Sequence, residues 1–135
     1  MPLPPASGTG RYFVKAAKSI RLIRQGCTNR PFFHISVTHR KRLNSQPVIE
    51  QLGSYDPMPN FNNEKLVALN LERIKFWLGH GAHVSPPVAE LLGLAGFFPI
   101  HPRSYMTAWR NRRTERENSE KQKEAEAAAK TADAA

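Results

Sequence analysis

The spacing of apolar residues changes once along the chain, and this change most constrains the fold. Residues 32–38 alternate strictly between two faces, and the residues of the apolar face are Phe33, Ile35 and Val37. That alternation is typical of a half-buried β-strand. In residues 71–78 the apolar positions recur at helical spacing instead, directly after Asn70, a good helix N-cap. We therefore expect strands in the first part of the chain and helices after them.

Three strands are predicted between residues 20 and 56. The first contains residues 20–22 and ends at the Gly26–Asn29 turn, the second is the alternating segment, and the third spans residues 48–55. The polar, basic residues 40–47 separate the second strand from the third. We expect these two strands to form a hairpin with that basic loop at its tip.

Proline and glycine mark the later elements. The first helix should end at Gly79 or Gly81, and Ser85 followed by Pro86 predicts the start of a second short helix. Residues 94–102 are apolar but interrupted by prolines, which favours an extended segment packed on the sheet. The organisation predicted from these signals is an arm at 1–18, a core domain at 19–102 and an extension at 103–135.

The positive charge belongs to the first third of the chain. Residues 1–49 contain nine basic residues and no carboxylate, whereas residues 50–135 contain 11 of each, so the net charge of +9 comes from the first segment. Dense arginine without carboxylates is typical of contacts to a polyanion, either nucleic acid or an anionic membrane. Because the densest block lies on strands and loops rather than an amphipathic helix, RNA or DNA is favoured. The expected phosphate contacts are Arg21, Arg24, Arg30, Arg40, Lys41 and Arg42.

Several classes of protein do not fit the sequence. No apolar run approaches the roughly 20 residues of a membrane-spanning helix, and the single cysteine, Cys27, excludes an internal disulfide framework. The motifs of phosphate loops, nucleophile elbows and zinc proteases are missing. His80 and His83 are better explained by surface or capping roles than by metal binding. We expect no catalysis; the alternative is a free-standing basic nucleic-acid-binding protein or nuclease.

Three features allow two interpretations each. The basic, acid-free residues 1–18 are either a mitochondrial leader or a plain disordered arm. Residues 103–116 carry five arginines and one glutamate with Tyr105 and Trp109, so they either extend the RNA surface or dock on a protein, and residues 117–135 form either a fraying helix or a disordered tail. Cys27 is either an inert thiol or a metal ligand, and the second role needs ligands from a partner because one cysteine cannot hold a metal alone.

Four ordered segments resemble one known family. They read IRLIRQG from residue 20, RPFFHI from residue 30, VIEQLG from residue 48 with Asp56–Pro57, and LERIKFWLGHGA from residue 71. Together they are similar to the bacterial-type small-subunit ribosomal protein sixteen family over residues 19–93. The segment LGLAGFFP from residue 92 and the N-terminal arm resemble the mitochondrial branch of that family.

The resemblance implies a fold and a function. The fold is α+β, a small mostly antiparallel or mixed β-sheet with two short helices and extended N- and C-terminal tails. The function is that of a structural constituent of the small ribosomal subunit in the mitochondrial matrix, which binds ribosomal RNA and supports assembly and translation. Arg21, Arg24 and Arg30 match RNA-facing positions of the family, whereas residues 40–47 depart from its usual loop and Phe33 replaces a frequent tyrosine. The implied partners are ribosomal RNA and neighbouring ribosomal proteins, with no membrane and no homo-oligomer.

The resemblance also assigns a role to Cys27. In the mitochondrial branch, the cysteine of the matching Gly-Cys-Thr-Asn-Arg-Pro turn is implied to ligate a two-iron iron–sulfur cluster. The cluster would be shared with a neighbouring, mitochondrion-specific subunit, which would supply the other ligands. A lone thiol is consistent with such a junction between two proteins.

Overall fold

The computed structural model describes the backbone of residues 17–133 and the side chains of residues 17–129. The predicted arm at 1–18 therefore lies almost entirely outside the described residues. Within them the chain forms five strands and three helices in an α+β arrangement. The strands are β1 (Lys18–Cys27), β2 (Arg30–His39), β3 (Glu50–Tyr55), β4 (Val67–Leu69) and β5 (His83–Val84). The helices are α1 (Leu71–Gly79), α2 (Pro86–Leu94) and α3 (Pro102–Asp133).

The strands form one mixed sheet in the order β4-β3-β2-β1-β5. The pairs β1–β2, β2–β3 and β3–β4 are antiparallel, and β5 joins β1 in parallel. This confirms the predicted fold class and the hairpin between the second and third strands, with the basic loop at its tip. The two edge strands were not predicted, because three or two residues are too few to show an alternating pattern.

The apolar face of the sheet follows from the alternation. Ile20 of β1 lies opposite Val37 of β2, and Ile35 occupies the same face two residues along. These three side chains are fully buried, as is Ile74 of α1. Helix α1 therefore contributes its single fully buried side chain to the core of the sheet-bearing unit.

Both predicted helix starts are confirmed. The side chain of Asn70 accepts a hydrogen bond from the backbone N–H of Arg73 (3.2 Å), which caps α1, and α1 ends at Gly79. Helix α2 begins at Pro86, and the carbonyl of Ser85 accepts its first backbone bond from Ala89 (2.9 Å). Ser85 thus starts the helix through its backbone.

The C-terminal part of the chain differs from the prediction for residues 94–102, and its structure decides between the two predictions for the tail. Within the described residues the chain divides into two compact units, with the boundary between Leu91 and Leu92. Residues 95–98 form a turn and a bend rather than an extended segment, because the N–H groups of Phe97 and Phe98 both donate to the carbonyl of Leu92 (3.0 and 3.2 Å). Leu94 and Pro102, the ends of the predicted segment, belong to α2 and α3. Of the two predictions for the tail, residues 117–133 adopt the helical one, as part of α3. The domain boundaries proposed from sequence stay predictions.

The β1–β2 turn depends on a glycine with positive φ. Gly26 has φ +91°, and a Cβ there would lie 2.3 Å from the carbonyl oxygen of Arg30. We expect Gly26→Ala to lower the free energy of unfolding by about 1–3 kcal/mol, measured by urea denaturation. The matched control is Gly79→Ala, since no atom lies within 4 Å of a Cβ at that position. The control should be neutral or slightly stabilising, and equal losses in both variants would contradict this account of the turn.

Candidate nucleic-acid interface

The six predicted contact residues fall into two clusters along the β1–β2 pair and the loop after it. The turn cluster comprises Arg24 and Arg30, and the loop cluster comprises Arg21, Arg40, Lys41 and Arg42. Arg24 lies opposite Phe33, and β2 ends at His39. With a rise of about 3.4 Å per residue, about 20 Å of strand separates Arg24 from the loop end of β2. The structure therefore spreads these cations along the β1–β2 pair and into the loop after β2.

Arg30 in the turn cluster already has a carboxylate partner. Its Nη1 and Nη2 atoms donate to the two carboxylate oxygens of Asp56, at 2.6 and 2.7 Å. This bidentate pair holds the pKa of Asp56 below its usual value, and a bond from the N–H of Met58 also lowers it. Arg30 thus fastens the end of β2 to the residue that follows β3. Its charge is locally compensated.

Arg24 differs from Arg30 in direction and in pairing. In the β1–β2 register Arg24 lies opposite Phe33, whereas Arg30 lies opposite Cys27. Positions 24 and 27 are an odd number of residues apart, so the two arginines project from opposite faces of the sheet. Arg24 is exposed and has no ion-pair partner among the side chains of residues 17–129. Of these two arginines, Arg24 is therefore the one available to bind an external anion.

The loop cluster is anchored through backbone atoms. The guanidinium of Arg21 donates to the carbonyl of Arg42, and the N–H of Arg40 donates to the carbonyl of Ala17 (2.8 Å). Arg42 in turn donates to the carbonyl of Pro47 (3.3 Å). Since these bonds do not use carboxylates, the positive charge of the loop is not compensated. Within the described part of the chain, the exposed Arg40 and Lys41 make no ion pair.

The first carboxylate of the chain, Glu50, is neutralised by helix α1. Arg73 donates to both of its carboxylate oxygens (2.7 and 2.8 Å), and the indole Nε1 of Trp77 donates to one of them (2.8 Å). The bond from Arg73 is the main reason why the pKa of Glu50 lies below its usual value. The network ties α1 to β3. Sequence reasoning missed it, because its members are 23 and 27 residues apart.

Stability should depend on pH through Glu50. Because its pKa is lower in the folded protein than in the unfolded chain, its contribution is present above the unfolded value and is lost as the pH falls through the folded one. We expect Glu50→Gln to destabilise the protein by about 1 kcal/mol at neutral pH, with a smaller difference in acid. The control is Glu64→Gln, an exposed carboxylate with no ion pair in the described residues. A pH-independent effect of Glu50→Gln in urea titrations would contradict the assignment.

No group of three or more metal-ligating side chains occurs among the described side chains, those of residues 17–129. Cys27 is exposed at the end of β1 and lines a shallow depression formed by residues 24–29.

The Nδ1 atom of His80 lies 2.7 Å from the carbonyl of Phe76, and His80 is the C-cap of α1, which confirms its predicted capping role. None of the described helices is long and apolar enough to cross a membrane.

A mixed sheet with uncompensated cations on β1 and on the loop between β2 and β3 is typical of a small nucleic-acid-binding protein. Comparison with known proteins makes this specific. The family model for ribosomal protein S16 matches residues 24–85. Small ribosomal subunit protein bS16m of Drosophila melanogaster is 63% identical over 129 residues, which cover 96% of this chain and 100% of that relative. The chain therefore belongs to the ribosomal protein S16 family.

Two further relatives show how similarity falls with distance. Small ribosomal subunit protein bS16m of Caenorhabditis elegans is 53% identical over 98 residues, covering 70% of this chain and 67% of the relative. Small ribosomal subunit protein bS16 of the bacterium Marinobacter nauticus is 42% identical over 77 residues, covering 57% and 96%. The bacterial protein thus matches little more than half of this chain, and the mitochondrial protein from the fly matches nearly all of it. The resemblance seen in the sequence is confirmed.

Proposed function

We propose that this protein is a structural constituent of the mitochondrial small ribosomal subunit and binds its ribosomal RNA in the mitochondrial matrix. The observation that carries the proposal is the 63% identity to the fly bS16m, which extends over 96% of the chain. The role is structural rather than catalytic, as befits a ribosomal protein family. The protein would support assembly of the subunit and, through it, mitochondrial translation.

The mechanism we infer is electrostatic. Arginine side chains bind phosphate oxygens in a bidentate way, and Arg24 and the loop cluster present such groups at two places along the β1–β2 pair. With about 20 Å of strand between them, they would contact separate RNA segments and hold them together. Arg30 contributes differently, because its pair with Asp56 fixes the end of β2 beside the β1–β2 turn.

Filter binding of the full chain to purified mitochondrial small-subunit ribosomal RNA tests this proposal. Five cations remain after Arg30 is paired: Arg21, Arg24, Arg40, Lys41 and Arg42. They imply a slope of about −4 in a plot of log affinity against log salt. A slope near zero would contradict phosphate binding. Degradation of the RNA by the purified protein would favour the alternative of a free-standing nuclease.

We further infer that Cys27 joins this protein to a neighbouring, mitochondrion-specific subunit through a shared two-iron iron–sulfur cluster. Two observations support this role: the thiol is exposed, and it lies at the end of a hairpin where a second protein can approach. The described residues offer no other ligand set, so this chain fits the cluster as the donor of one thiolate. The partner would supply the remaining ligands.

Replacing Cys27 tests that junction. In small subunits purified from cells that carry Cys27→Ser, we expect lower occupancy of one neighbouring protein and loss of iron–sulfur absorbance. Ribosomal RNA binding by the isolated chain should not change, because Cys27 is not among the cationic residues to which phosphate binding is assigned. Normal occupancy and unchanged absorbance would show that Cys27 is a free thiol.

A further inference from the structure

Helix α3 carries a stripe of aromatic and cationic side chains along one face. The stripe consists of Tyr105, Trp109, Arg112 and Arg116, all within Pro102–Asp133. Their spacings of four, three and four residues place all four side chains on the same face of an α-helix. Between residues 102 and 119 the only carboxylates are Glu115 and Glu117. Glu117 pairs with Arg113 outside the stripe, and Glu115 lies beside the stripe, three residues after Arg112, without forming an ion pair with it in the described residues.

The stripe is open and its cations are unpaired. Trp109 is 61% exposed and Tyr105 is 41% exposed. Their ring centroids lie 5.3 Å apart with the planes inclined by 50°. In the part of the chain that the structure describes, Arg112 and Arg116 make no ion pair. By contrast, Arg113 beside the stripe donates to Glu117 (3.0 Å).

Stability of the helix itself does not account for this arrangement. Arg112 and Arg116 are four residues apart, so their like charges face each other and repel. Trp109 keeps most of its surface in water although a tryptophan buries a large apolar area when it has a partner. Both features cost free energy in the isolated helix and are favourable when an external group supplies negative charge and a flat surface.

We propose that the stripe is a second RNA-binding surface, which takes single-stranded RNA by stacking bases on Tyr105 and Trp109 and binding phosphates through Arg112 and Arg116. The chemistry favours RNA over a membrane, because the polar residues of α3 leave no continuous apolar face. It favours RNA over a protein because residues 103–116 carry five arginines and one glutamate, a charge that a polyanion matches along its whole length. The inference rests on the proposed function in one respect only, which is that both assign RNA as the partner.

The test is a fluorescence titration of the full chain with a short single-stranded oligouridylate. Stacking on Trp109 should quench tryptophan emission. Trp109→Leu should abolish this component of the quenching and weaken binding about tenfold. The double variant Arg112→Gln/Arg116→Gln should weaken it to a similar extent and make the salt slope shallower by about 1–2. Circular dichroism would establish that α3 stays helical in each variant.

The matched control is Arg110→Gln/Arg113→Gln, which removes the same charge from outside the stripe. Its affinity for oligouridylate should stay within about twofold of the original. Equal weakening by the two double variants, or unchanged binding by Trp109→Leu, would overturn the inference and leave α3 as a protein-docking helix. These variants should not alter the contribution of Arg24, Arg40 and Lys41 to ribosomal RNA binding, so failure of this inference is distinguishable from failure of the proposed function.

Discussion

Replacing Arg24, Arg40 and Lys41 together by glutamine should lower the affinity of the full chain for mitochondrial small-subunit ribosomal RNA by about two orders of magnitude near 0.1 M salt. These residues are exposed and make no ion pair with any described side chain of residues 17–129. Each one that neutralises a phosphate releases a counterion, so the salt slope should become shallower by about 2–3. Filter binding over a series of salt concentrations measures both quantities.

A charge-matched control separates specific contacts from net charge. The variant Lys65→Gln/Lys121→Gln/Lys123→Gln also removes three exposed positive charges, but from a loop and from the charge-balanced part of α3. It should change the slope by less than about 1. An equal change in both triple variants would mean that net charge alone drives binding, which would contradict the assignment of the two clusters.

Truncating Ile74 should have the largest effect on stability. Ile74 is fully buried and is the one buried side chain of α1. Ile74→Ala leaves a cavity between the helix and its neighbours, and such changes typically cost about 2–5 kcal/mol. A loss of that size is a large fraction of the total stability of a small domain, which is about 5–15 kcal/mol. Urea denaturation of the full chain measures it.

The control for this variant lies on the same helix. Leu71 is 40% exposed at the first position of α1. Leu71→Ala removes a side chain of the same volume class, and we expect it to cost less than about 1 kcal/mol. If Ile74→Ala were as mild as Leu71→Ala, the packing of α1 in the core would be wrong.

Local patterns were sufficient to predict the main elements of the fold. The alternation around Ile35 placed β2 and its buried face, because side chains of a strand alternate whatever lies beside it. Asn70 and Pro86 marked the two helix starts, since capping and the fixed φ of proline act within a few residues. The strands β4 and β5 could not be predicted in this way, because they exist only through pairing with β3 and β1.

The candidate site was predictable in composition but not in geometry. The carboxylate-free first third of the chain identified the cations. The sequence did not reveal that Asp56 compensates Arg30, because the pair forms across 26 residues. Nor did it reveal that Arg24 and Arg30 project from opposite faces, because this depends on where the β1–β2 turn sets the register. For Glu50, too, only the packing of α1 against β3 identifies Arg73 and Trp77 as its partners.

The position of the tagged full-length protein in a sucrose gradient of mitochondrial lysate tests the central claim most directly. Small and large ribosomal subunits are separated under conditions that keep them intact, and the protein is followed by immunoblot. We predict that it sediments with the small subunit and that ribonuclease treatment moves it to the top of the gradient. A protein that remains at the top before ribonuclease treatment would contradict its assignment as a structural constituent of the subunit.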